Sequence, residues 1–359
     1  MLKDCGFVDA AALSSGLAVV HEAITPETAS EALLTHYDIR GDLKRIPTEK
    51  DDTFHLTTVG GEYLVKISAP GEAAGVVNLQ SSAMTFAADR APGLPVQTLI
   101  GNRFGKLETR LADPTSGTLR ILRVMKYMRG DLLKGEDPSS AQLRQVGKTL
   151  ARLDKALKDF SHDHDDRLLI WDLKHFHRLR GLLGLLVDPR KLAIAESIFD
   201  HFENAVAPLM NSLRSQALHG DFSPFNVVVN ANSEDYVVGI IDFGDTVRSP
   251  VIFDVSVAMA NQLGVDPQEP WRHALDVLAG YRSEYPLEPN EAALLSIAAP
   301  ARLLLRALLA EWRASNSPDS RDYLLSHSAG DWERLYAAMA VPSDLVRSAI
   351  HNDTFSPSH

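Results

Sequence analysis

Apolar positions recur along this chain with two different periods, and the change between them divides it. Thr25 suits a helix N-cap, Pro26 the first helical position and Glu27 the positive end of the helix dipole. A helix running through Leu33 to about residue 37 follows. Residues 43–46, 54–58 and 63–68 then read as short strands, with Val59-Gly60-Gly61-Glu62 as a hairpin turn between the last two. Ala69-Pro70-Gly71 breaks the chain, 74–88 reads as a helix, and Pro92, Gly93 and Pro95 stop it. Further strands are expected at 96–100, 105–110 and 121–127. The pattern predicts a small antiparallel sheet with one helix inserted after its third strand.

From Ser139 onward the period is helical. Ser139 and Gln142 form a capping box, and Leu143, Val146, Leu150, Leu153 and Leu157 line one face. Residues 168–186, 192–213, 251–263, 271–281 and 291–312 also read as helices. One island interrupts them. Val227-Val228-Val229 and residues 237–241 flank the turn-rich 230–235, which predicts a β-hairpin inside a helical unit. Arg129-Gly130-Asp131 marks the change of texture. The expected fold is α+β and bilobal, with a sheet-rich lobe over 1–128 and a helical lobe over 129–359 that carries the hairpin.

The chain has 359 residues, 45% hydrophobic and 23% charged, the mix of a globular protein with a large core. A formal net charge of −11 argues against nucleic acid and anionic membrane surfaces as partners. Cys5 is the only cysteine, so no intramolecular disulfide can form, which fits a reducing, cytoplasmic setting. Residues 8–20 are mildly apolar, but Asp9 interrupts them and Ser14, Ser15 and Gly16 dilute them, unlike a signal peptide. No run is expected to reach the ~18–20 apolar residues of a membrane span.

The hairpin island carries the chemistry. It reads His219-Gly220-Asp221-Phe222-Ser223-Pro224-Phe225-Asn226, then Ile241-Asp242-Phe243-Gly244-Asp245. Asp221, Asn226 five residues on and Asp242 21 residues on match what metal-assisted phosphoryl transfer needs. One carboxylate accepts a hydroxyl proton, while an oxygen ligand and a second carboxylate hold Mg²⁺ against phosphates. Lys66, in the strand Tyr63-Leu64-Val65-Lys66-Ile67, supplies a cation for the α- and β-phosphates.

His219-x-Asp221-x4-Asn226 followed by Asp242-Phe243-Gly244 resembles the catalytic and metal-binding loops of the protein-kinase-like fold. The chain is most similar to the aminoglycoside phosphotransferase and choline kinase family. Within it, "HGDFSPFNVVV", "GIIDFGDTVRSPVIFDVSVAMA" and "LLIWDLKH" resemble hydroxylysine kinases and the kinase-like domains fused to some aminotransferases. The resemblance implies that Asp221 orients and deprotonates the acceptor hydroxyl and that Asn226 and Asp242 bind Mg²⁺. It implies that Lys66 contacts the phosphates and that Lys126-Tyr127-Met128 forms the inter-lobe hinge, whose backbone would bind the purine of ATP or GTP. His219 is then architectural, and Asp254 pins the catalytic loop. Ser223 stands where protein kinases carry Lys. The implied activity is transfer of a γ-phosphoryl group to a hydroxyl of a small amino alcohol or hydroxylated amino acid. Alternatives are an aminoglycoside-, choline- or homoserine-type kinase, or a nucleotide-binding pseudokinase without turnover.

Two departures stand out. A polar turn at 47–53 replaces a Gly-rich loop, so its backbone and Thr53 are candidates to cover phosphates. The helix after Lys66 offers Asn78 where an acid would pair with that lysine, and Glu72 is a substitute. Asp245 and Trp171 are candidates for the acceptor site, as is Arg302, whose anion is either a substrate carboxylate or an acid such as Asp254. Residues 162–166 read as a solvated polar turn, His175 and His177 as helix surface rather than ligands, and Gly147-Lys148-Thr149 as mid-helix rather than a phosphate loop.

Overall fold

The computed structural model describes residues 21–352 apart from 49, 114 and 317–320. Expectations placed on Cys5, on 8–20 and on Glu49 lie outside the described residues.

The sheet-rich part opens with α1 (Pro26–Tyr37), where Thr25 Oγ1 accepts the Thr28 N–H at 3.2 Å. Six strands follow: β1 (Asp42–Ile46), β2 (Asp52–Thr58), β3 (Gly61–Ile67), β4 (Leu99–Ile100), β5 (Thr109–Ala112) and β6 (Leu119–Lys126). They form one antiparallel sheet in the order β1-β2-β3-β6-β4, with β5 also on β6. Ala29 and Leu33 of α1 pack against Phe54, Leu56, Val65 and Val124 of the sheet, so α1 belongs to this lobe as well. The strand expected at 105–110 starts only at Thr109, because Asn102 ties off a turn: its Oδ1 accepts the N–H groups of Phe104 and Lys106. Residues 96–98 form no strand beyond a single bridge from Val96 to Ile240.

α2 (Ala74–Arg90) follows β3 as expected, but its buried Leu79, Ala83 and Met84 join the core of the helical lobe. That core is built on α3 (Ser140–Leu157), with the Ser139–Gln142 capping box in place, and on α4 (Pro189–His201), α5 (Val251–Ala260), α6 (Arg272–Glu284) and α7 (Pro289–Asn316). Gly147 lies where α3 crosses α6; a Cβ there would stand 1.9 Å from the Val277 carbonyl oxygen, so its role is close packing. Residues Leu173–Leu185 form 3₁₀ turns rather than α-helix, capped by Asp172, whose carboxylate accepts the Lys174 N–H at 2.9 Å.

The hairpin appears as β9 (Val227–Val229) and β10 (Val237–Ile240). Its outer edge pairs with β7 (Asp131–Leu132), and β8 (Ser215–Leu218) pairs with β11 (Val247–Pro250). These three short strands, with α8 (Arg321–Ala340) and α9 (Ser343–Asn352), have no counterpart in the sequence reading. The sheet-rich lobe also reaches the hairpin through backbone. The Ile240 N–H donates to Pro95 O at 2.7 Å, and the Gln97 N–H donates to Ile240 O at 3.0 Å.

α7 corrects one expectation. Its length and composition would suffice to cross a membrane, yet 78% of its most apolar window is buried within the protein, as in a core helix.

Candidate active site

β8 and β9 flank the loop 219–226, and α5 fixes it from below. The N–H groups of His219 and Gly220 donate to the two Asp254 carboxylate oxygens at 3.0 and 2.9 Å. Gly220 has φ +83, and a Cβ there would stand 2.1 Å from the Asp245 carbonyl oxygen, so the turn demands glycine. His219 is fully buried. Its Nε2 faces Ile241 O at 3.1 Å, and its Nδ1 faces the Asp221 N–H at 3.3 Å. Those partners select the Nε2–H tautomer and make His219 a strut between the two loops. Both expected supporting roles, for His219 and Asp254, fit this geometry.

Asp221 is held on both oxygens. The Asn226 Nδ2 donates to Asp221 Oδ2 at 2.8 Å and to its carbonyl at 2.9 Å, and the Ser223 hydroxyl donates to Oδ2 at 3.3 Å. Arg302 Nη2 donates to Asp221 Oδ1 at 3.3 Å. The acid beside Arg302 is therefore Asp221, not Asp254. Arg302 is 7% exposed, and its Nη1 is buried with no partner.

Asp242 follows β10 with φ 58, a left-handed conformation unusual for an aspartate. Lys66 Nζ donates to Asp242 Oδ1 at 3.1 Å and lies 3.4 Å from Asp51 Oδ2. The Lys66 ammonium holds Asp242 down at about 2, against the opposing effect of burial. Burial works against the charge on Lys66, but Asp242 and Asp51 outweigh it and hold the ammonium above its usual range.

Asn78 does not touch Lys66. Its Nδ2 donates to Glu108 Oε1 at 3.2 Å, and its Oδ1 faces His162 Nε2 at 3.1 Å. Glu72 is taken by Lys50. The acid that serves Lys66 comes from the β1–β2 turn as Asp51, whose Oδ1 also accepts the Ala69 N–H at 3.2 Å. Thr53 lies directly across the sheet from Lys66. Arg123 lies across from Lys66 on the other side, and burial lowers its basicity. Neither Asp51 nor Arg123 stood out in the sequence.

The 126–128 segment leaves β6 at the junction. The Lys126 N–H donates to Thr98 O at 2.8 Å, and the Tyr127 N–H donates to Glu62 O at 3.1 Å. Those two donors are therefore unavailable to a purine. Among the described residues the Met128 N–H meets no backbone carbonyl.

Arg302 stacks over the Trp171 ring with 5.4 Å to the centroid, and Arg313 does so at 5.7 Å. Arg313 follows Arg302 by eleven residues, three helical turns, so both lie on one face of α7. Burial and then the Asp221 carboxylate push Asp245 up to about 7, with Arg167 opposing. Arg167 clamps that loop by donating to Gly244 O at 2.5 Å and Thr246 O at 3.1 Å. The turn 162–166 is not wholly solvated: Asp165 is buried and pairs with Arg248 at 2.7 Å.

The sequence profile of the phosphotransferase enzyme family (APH) matches residues 42–295. The chain belongs to this family. Hydroxylysine kinase of Mus musculus is 25% identical over 316 residues, covering 82% of this chain and 83% of that protein. A solved amicoumacin kinase in complex with AMP-PNP and Ca²⁺ superposes with a TM-score of 0.67 at 14% identity, over 89% of this chain and 95% of its own. A microcompartment-associated aminopropanol kinase superposes with a TM-score of 0.61 at 17% identity, over 92% of this chain and all of its own. The kinase-like bilobal α+β fold is the one expected. This phosphotransferase is a small-molecule kinase with a hydroxyl acceptor, and family membership implies ATP as co-substrate.

Proposed function

We propose that this phosphotransferase moves the γ-phosphoryl group of ATP or GTP to the hydroxyl of a small amino alcohol or hydroxylated amino acid, as its hydroxylysine kinase relatives do by name. The observation that carries the reading is the placement of Asp221. Its Oδ2 is fixed by Asn226 and Ser223, and its Oδ1 borders the Arg302–Trp171 wall. A hydroxyl arriving along that wall meets a positioned proton acceptor. Loose phosphoryl transfer gains mainly from such positioning.

The metal donors fit a hard cation. Asn226 turns its amide nitrogen to Asp221, which leaves Oδ1 as the ligand atom, and Asp242 stays ionised. Among the described residues no group of three or more His, Cys, Asp or Glu side chains could hold a metal alone, which suits an Mg²⁺ that is completed by substrate phosphates. Asn226 and Asp242 would hold it, and it would neutralise charge on the transferring phosphates. Lys66 orients the α- and β-phosphates, Thr53 and the 47–53 turn cover them, and the Met128 N–H reads the purine.

The acceptor reading rests on two charges. Arg302 has a buried donor without a partner, which suits a carboxylate, and Asp245 with Asp221 suits an ammonium. A cytoplasmic setting belongs to the same reading. The pseudokinase alternative rested on Asn78 and loses that support, because Asp51 supplies the acid for Lys66.

The deciding experiment is a coupled phosphotransfer assay with Mg²⁺ and ATP or GTP against hydroxylated amino acids, amino alcohols, choline, homoserine and aminoglycosides. Turnover is expected on a hydroxylated amino acid and is expected to fall about 10²-fold or more in Asp221→Asn. Turnover on aminoglycosides alone would overturn the acceptor reading, and unchanged turnover in Asp221→Asn would overturn the mechanism.

A further inference from the structure

Two carboxyl groups meet beneath the catalytic loop, and one of them, Asp254, lines a small cavity together with Trp171. Asp254 on α5 is 1% exposed, and both its oxygens accept backbone N–H groups of that loop. Asp154 on α3 is fully buried. Its Oδ2 accepts the Tyr281 hydroxyl from α6 at 2.7 Å. Its Oδ1 is sealed from water and meets no donor. The two carboxyl groups lie within hydrogen-bonding reach of each other.

Two ionised carboxylates cannot share a dry site at that range, because repulsion and desolvation act in the same direction. One proton must sit between them. Asp254 is the better anion, since two N–H groups already point at its oxygens. Asp154 Oδ1 is the atom short of a partner, and a proton on it converts an orphaned acceptor into a donor.

We propose that Asp154 is a neutral carboxylic acid that donates from Oδ1 to Asp254 and so positions the catalytic loop that carries Asp221. The resulting chain runs from Tyr281 through Asp154 and Asp254 to the N–H groups of His219 and Gly220. The side chains that face the pair are Tyr281 from α6, Tyr285 just beyond it and His219 from the loop, while Gln216 on β8 donates to the Asp154 carbonyl at 2.6 Å. Burial and then Asp254 drive the Asp154 carboxyl well above the usual range, in line with a retained proton. Asp154 is a positioning residue: it acts through Asp254 and touches neither nucleotide nor acceptor.

The pH dependence has a definite sign. The native protein keeps the Asp154 proton, whereas the unfolded chain loses it near pH 4, as an ordinary aspartate does. This stabilisation is therefore complete below about pH 4 and declines as pH rises toward the native value of the pair. Asp154→Asn supplies a neutral donor of the same shape. It is expected to keep kcat within about threefold and to lose less Tm than the wild type between about pH 5 and 8. Asp154→Ala leaves the Tyr281 hydroxyl unpartnered and takes the side-chain donor away from Asp254, and it is expected to lower kcat about tenfold with KM little changed. Infrared spectra of the wild type near pH 7 should contain a protonated-carboxyl band that persists in Asp245→Asn, which removes the other carboxyl protonated near that pH, and is missing from Asp154→Asn. Equal losses of kcat in the two variants, or a pH slope of Tm unaltered by Asp154→Asn, would overturn the proposal. So would the absence of that band from the wild type, a result that stands even if the variant does not fold. The Tm slope and the band need no acceptor, so they remain informative if the acceptor reading fails.

Discussion

Arg302 Nη2 lies 3.3 Å from Asp221 Oδ1, so a cation from the middle of α7 touches the carboxylate that is to accept the hydroxyl proton. Arg302 has one further buried nitrogen with no partner. A carboxylate-bearing acceptor would satisfy it. Arg302→Ala is expected to raise KM at least about tenfold for such an acceptor, the scale of one lost charge-assisted hydrogen bond. KM for the decarboxylated analogue should change far less. Steady-state kinetics on the matched pair checks this, and equal effects on both would sink the carboxylate role.

The Lys66 pairing separates Asp51 from Asn78, the position the sequence favoured as the lysine's partner. Asp51→Ala removes an acid 3.4 Å from the Lys66 ammonium and is expected to raise KM for ATP about tenfold. Asn78→Ala touches only Glu108 and His162 and should leave KM for ATP within about twofold. Nucleotide titration of both variants decides it.

Partial burial and then the neighbouring Asp221 carboxylate push Asp245 up to about 7. Below that pH it is neutral, and above it the site gains an anion. KM for an ammonium-bearing acceptor is therefore expected to fall as pH rises from about 6 to about 8, and Asp245→Asn should flatten the profile. A profile that is unchanged in the variant would show that Asp245 is not the titrating group.

Arg120 governs stability rather than turnover. It is 1% exposed and donates to Ser68 O at 2.6 Å, Asp52 Oδ2 at 2.5 Å and Asp113 Oδ2 at 3.2 Å. Arg120→Met takes the buried cation away from both acids, leaving Arg45 on Asp52 and the Thr115 and Ser116 donors on Asp113, and is expected to cost about 3 kcal/mol in denaturant unfolding. Asp113 is held down at about 2, chiefly by the Ser116 N–H. Its contribution is complete above about pH 4 and is lost as pH falls toward 2. Asp113→Asn should therefore reduce the acid sensitivity of Tm.

The proposed catalytic constellation can be drawn from the sequence because it is nearly continuous in the chain. Asp221, Asn226 and Asp242 lie on two loops joined by one hairpin, so their spacing carries the geometry. Lys66 was legible as a charge inside an apolar strand. Asp51 was not, because its role depends on a turn folding back over β3. Asn78 was misjudged because α2 buries Leu79, Ala83 and Met84 in the helical lobe, and that packing turns Asn78 toward Glu108 and His162. Arg313 had a helical-spacing signal relative to Arg302, but only the stacking on Trp171 gives it meaning. The short strands β7, β8 and β11 are two to four residues long, and their pairing is non-local, so no periodicity announces them.

The hairpin between the two catalytic loops is gripped along both edges by main-chain bonds, from β7 on one side and from Pro95 and Gln97 on the other. Main-chain bonds survive almost any exchange of side chain. The alignment of the nucleotide half of the site with the acceptor half is thus stored in a part of the molecule that sequence drift cannot readily erode. This accounts for a fold that still superposes with a TM-score of 0.67 on a kinase sharing 14% of its residues. It also leaves the side chains around Trp171 free to diverge without disturbing how the two lobes meet at the hairpin.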